Sequence, residues 1–148
     1  MSDLRSTFAI KGHPLHPLLV PFPIVGFVGA LGTDIAFASG CGPGWATASL
    51  WLIGAGLAGG LLAALAGFID FAGSSGIRAL RDAWLHLFAN LTAVVIELVS
   101  FVLRLGEREI AGGVGLALSI AAVLLLLFSG WKGGELVFRH GVGQIGRD

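Results

Sequence analysis

Apolar residues dominate four stretches of the chain, approximately residues 17–38, 46–71, 84–105 and 112–131. Each is long enough, as a helix, to span the roughly 30 Å of hydrocarbon in a bilayer. Short polar or glycine-rich segments at residues 39–45, 72–83 and 106–111 separate them. Connections this short turn each helix back alongside the one before it. The pattern therefore predicts an all-α fold: a single domain over residues 1–148, built as an integral membrane four-helix up-down bundle. No internal repeat is evident.

Composition points the same way. Hydrophobic residues make up 55% of the chain and charged residues 12%, with a mean hydropathy of +0.90. Soluble domains carry about a quarter charged residues, because their surface must face water. Here the expected partner of that surface is the lipid bilayer. The formal net charge is zero, which argues against nucleic acid, whose binding needs a basic face. Cys41 is the sole cysteine, so neither an internal disulfide nor a thiolate metal cage can form. The first apolar stretch is full-length and opens with prolines, unlike a cleavable signal peptide.

Charge sets the orientation. Arg5, Lys11, Arg78, Arg81, Lys132, Arg139 and Arg147 fall on the side of the N-terminus, and only Arg104 and Arg108 on the other. By the positive-inside rule both termini are expected in the cytoplasm. Trp45, Trp51, Trp84 and Trp131 all fall near ends of the spans, as an interfacial aromatic belt requires. Gly26, Gly29 and Gly32, Gly56 with Gly60, and Ala63 with Gly67 are spaced for close helix packing, within the chain or in a homo-oligomer.

This threading carries His13, His16, His86 and His140, together with Asp70, to the cytoplasmic face. Imidazole is the commonest metal ligand, and neutral histidine is available at physiological pH. A zinc or iron site would take three or four such ligands, and a b-type haem one or two histidines from facing helices. His16 and His86 are the primary candidates, with His13 and His140 secondary and Asp70 and Asn90 orienting them. Alternatively, interfacial histidines bond to carbonyls freed by the prolines. His13 and His16 each precede a proline, which favours extended geometry, and Pro17 suits the first helical position.

In the third span His86, Asn90, Glu97 and Arg104 recur at 4, 7 and 7 residues, which places them on one helix face. Glu97 is an intramembrane carboxyl, structural or proton-relaying. Asp34, at the far end of the first span, lies at a depth to pair with Arg104. After Trp131, Glu135 and Arg139 form an i,i+4 pair, and the two glycines before them could fold His140 under the bundle.

The run Gly12-His13-Pro14-Leu15-His16-Pro17-Leu18-Leu19-Val20-Pro21-Phe22-Pro23 resembles a bacterial membrane family catalogued as domain of unknown function 2231. So do Gly67 with Asp70, His86 with Asn90, and the segment from Gly133 through Glu135 and His140 to Gly143. The family commonly has tyrosine where this chain has Phe138. The resemblance covers nearly the whole chain, brings no established activity, and implies a multi-pass protein of the bacterial inner membrane. Some members resemble fusions to Rieske-type iron–sulfur domains, which leans towards redox chemistry. The leading expectation is thus a haem b or transition-metal site passing electrons to or from a quinone or a partner protein. A proton- or ion-conducting subunit using the third span, and a structural membrane subunit, are the rivals. No nucleophile or phosphate-loop motif is visible.

Overall fold

A backbone that crosses hydrocarbon must satisfy its own N–H and C=O groups, so long apolar runs become helices. The computed structural model describes residues 4–144; Arg147, counted above for orientation, lies outside them. Among the described residues, four helical segments are long and apolar enough to cross a membrane: Leu15–Ala38, Gly44–Gly73, Arg81–Gly106 and Val114–Arg139.

The first segment is two helices, α1 (Leu15–Leu19) and α2 (Pro21–Ala38), joined at Val20. Prolines cause the joint. Pro21 and Pro23 have no N–H to offer, while Val20 N–H still reaches the His16 carbonyl at 3.1 Å. His16 is itself helical although Pro17 follows it, which differs from the extended geometry expected. Pro17 sits within the first turn, where its missing N–H disturbs no helical bond. Next come α3 (Gly44–Gly73), the single turn α4 (Ser75–Arg78) capped by Ser74, and α5 (Arg81–Gly106). A 3₁₀ turn over Arg108–Gly112 leads into α6 (Val114–Gly134), which ends in a π-helical turn, Glu135–Arg139.

An all-helical reading misses one element. Ala9–Ile10 (β1) pairs antiparallel with His13–Pro14 (β2) through the two-residue turn Lys11–Gly12. Both turn residues have positive φ, 50° and 81°, as the tightest β-hairpins require. The hairpin is fastened to the end of α3 by Asp70, which accepts from the Ser6 hydroxyl (2.8 Å) and the Phe8 N–H (2.7 Å).

In the bundle α2 packs along α3 and α5 along α6, and the two pairs meet with α2 against α6 and α3 against α5. α2 and α5 therefore face each other across the middle. The pairs share part of one plan. Several residues seventy apart are buried alike: Pro23 and Ala93, Phe27 and Glu97, Ala30 and Ser100, Asp34 and Arg104, and Ser49 and Ser119. His16 and His86 share that separation and meet as well. The sequence conceals this partial correspondence, because four of the six pairs differ in residue type.

Lipid offers no hydrophobic drive for helix association, so close backbone approach matters. A Cβ on Gly26 would lie 2.6 Å from the Gly56 Cα, so these two glycines are where α2 and α3 touch. Gly32, two turns along, has nothing within 4 Å of the same position. Replacing Gly26 with alanine must therefore push the helices apart and cost about 1–3 kcal/mol. Gly32→Ala should be neutral or stabilising through helix propensity. Thermal unfolding in detergent separates the two; equal effects would mean that this contact does not hold the pair together.

Candidate functional site

Two imidazoles meet at one end of the bundle. His16 rides on the first turn of α1 and His86 on the second turn of α5, and each lies in a glycine notch of the next span, α3 for His16 and α6 for His86. His16 Nδ1 is 2.8 Å from the Ala63 carbonyl, beside Gly67, where a Cβ would come within 2.8 Å of that nitrogen. His86 Nδ1 is 2.9 Å from the Ser129 carbonyl, beside Gly133, where a Cβ would come within 3.1 Å of the ring. In both notches the glycine follows the accepting residue by four positions, one helical turn.

A carbonyl oxygen can only accept, so Nδ1 carries the hydrogen in both rings and the lone pair falls on Nε2. The Asn90 amide donates to that lone pair on His86 at 3.1 Å. The Ser129 hydroxyl lies 3.0 Å from His86 Nδ1. The two rings stand edge to face with centroids 6.0 Å apart.

The other histidines go elsewhere. His13 is exposed, and its Nδ1 lies 3.2 Å from the Lys11 carbonyl. His140 is brought under the bundle by the π-turn, where its Nε2 is 3.1 Å from Asp82, which also pairs with Lys132 at 2.9 Å. Asp70 is occupied by the N-terminal segment, with no bond to a histidine among the described residues. Of six candidates, then, His16, His86 and Asn90 come together. Among the described residues no group of three His, Cys, Asp or Glu side chains is placed to hold a metal ion.

The opposite end holds a closed ion pair. Arg104 Nη1 and Nη2 each lie 2.7 Å from an Asp34 oxygen, and both side chains are fully buried. Arg104 also donates to Ser49 (3.1 Å), Ser119 (3.3 Å) and Ser100 (3.0 Å). All five guanidinium hydrogens are thereby engaged. Between the two ends lies Glu97, fully buried, with neither carboxyl oxygen bonded to a partner.

Ser49, Ser100, Ser119, Ser129 and Asp82 were not among the candidates raised from sequence. Serine in a membrane helix is too common to single out, but spacing held a clue: Ser100 lies four residues before Arg104, and Asp82 four before His86.

A family described as "Predicted membrane protein (DUF2231)" matches residues 12–146. The chain belongs to this family. The match takes in all six candidate site residues of this DUF2231 protein, His13, His16, Asp70, His86, Asn90 and His140, along with Asp34, Glu97 and Arg104. With its four candidate spans, it is a multi-pass membrane protein. No curated protein and no solved structure matches it.

The notches make a specific demand. Gly67→Val would evict the His16 ring and leave the Ala63 carbonyl without its side-chain donor, at a cost of about 1–3 kcal/mol. Nitrogen-15 spectra of labelled histidine should then show one Nδ1–H signal lost. Retention of both signals would contradict the notch geometry.

Proposed function

We propose that this DUF2231 protein binds a redox cofactor, a b-type haem or a transition-metal ion, between His16 and His86. Electrons would pass between it and a quinone or a partner protein. The observation that carries this reading is the pair of fixed rings. Each imidazole has its Nδ1–H tied to a backbone carbonyl, the arrangement that orients a metal-binding histidine and leaves Nε2 as the ligand atom. The two rings are also neighbours, with centroids 6.0 Å apart, so both belong to one site. Two histidines are the number a b-type haem would take, whereas a closed zinc cage takes four ligands. Asn90 now occupies the His86 lone pair and must swing away when a ligand binds.

The orientation belongs to the same proposal: helices alternating in direction through a bacterial inner membrane, both termini and the His16–His86 end cytoplasmic. Exposed Cys41, in the connection between α2 and α3, then faces outward. A membrane-impermeant thiol reagent should label it in intact cells. Labelling only after lysis reverses the orientation.

The cofactor itself is tested by an absorbance scan and elemental analysis of detergent-purified protein. A Soret band or stoichiometric metal is expected, lost in His16→Ala and in His86→Ala but kept in His13→Ala and His140→Ala. A folded, colourless and metal-free wild-type preparation from cells supplied with haem and metals would end the proposal.

A further inference from the structure

Glu97 has no part in the two-histidine site, and it is the most costly side chain in the bundle. It lies on α5 about 16 Å along the axis from His86 and about 10 Å from Arg104. Both of its oxygens are buried and without a hydrogen-bond partner. An ionised carboxylate so placed costs several kcal/mol or more, and even a neutral carboxyl leaves polar atoms unmet. Natural membrane helices keep such a group only when something compensates for it.

Packing does not supply the compensation. Phe27, seventy residues earlier on α2 and also fully buried, is apolar, so the interior of this fold takes carbon at that register. Pairing does not supply it either. The charged groups on the surrounding helices are few: Asp34 on α2, Asp70 on α3, Lys132 on α6, and Arg81, Asp82, His86 and Arg104 on α5 itself. Asp70 is held by the N-terminal segment and Lys132 by Asp82. Arg104, the nearest cation along the helix, has spent all five of its hydrogens on Asp34, Ser49, Ser100 and Ser119.

We propose that Glu97 is an intramembrane proton-binding site, a carboxyl that gains and loses a proton within the bundle as the protein works. Its role is to hold a proton away from water, between the two-histidine end and the arginine-closed end. The idea stands apart from the cofactor proposal, since it rests on no ligand at His16 or His86.

The test is infrared difference spectroscopy of the full-length protein in lipid vesicles, between acidic and alkaline buffer. A protonated-carboxyl C=O stretch that disappears on the alkaline side is expected in the wild type and is lost in Glu97→Gln. Thermal unfolding supplies the second readout. The near-isosteric Glu97→Met should melt at or above the wild-type temperature, because it removes an unmet polar group from a site the fold can fill with carbon. If wild-type and Glu97→Gln difference spectra coincide, or if Glu97→Met unfolds well below wild type, the carboxyl is inert or structural and the proposal fails.

Discussion

Arg104 joins the two helix pairs at one end of the bundle, and every hydrogen of its guanidinium is used in doing so. In water this would be an ordinary ion pair worth little. In hydrocarbon no solvent waits to accept a stray N–H, so the guanidinium must be closed from within the chain. Asp34 from the first pair supplies both carboxyl oxygens, and Ser49, Ser100 and Ser119 supply the rest. This closure fixes which faces of α2 and α5 look at one another. The same facing brings His16 against His86 at the other end and leaves Glu97 between them. Site geometry at both ends thus follows from one buried charge pair.

The spans were legible because lipid imposes a blunt rule on composition. Four apolar runs could cross only as helices, and each of the four candidate spans overlaps its run. The joint at Val20 was half-legible: Pro21 and Pro23 announce a break, but not that His16 would remain helical ahead of it. The β1–β2 hairpin was not read, because Lys11–Gly12 flanked by two-residue strands carries too little pattern. The correspondence between helix pairs was hidden for a physical reason. A charge pair needs opposite signs where a repeat would show identity, hence Asp34 against Arg104. Likewise Phe27 and Glu97 share a register but no chemistry.

The site was legible in part. Threading alone puts four histidines near one end, but only side-chain neighbours decide which of them meet. His140 found Asp82 and His13 turned to its own hairpin, leaving two rings in glycine notches. Gly67 and Gly133 stand out in the sequence only as parts of the family resemblance and, for Gly67, of a small-residue spacing. Their function appears only when the rings they admit, and the carbonyls four residues earlier, are seen together. Glu97 was visible as a lone intramembrane carboxyl. That it lacks any partner was not, since Arg104 on the same face could have reached toward it had its hydrogens not been engaged.

The dependence of the bundle on internal closure is tested most directly by equilibrium unfolding of Arg104→Met and of the double variant Asp34→Leu/Arg104→Met. Removing the arginine alone strands a buried carboxylate and should cost about 3–5 kcal/mol, whereas removing both charges should recover most of that loss. A single variant as stable as wild type, or a double variant no better than the single, would contradict the account.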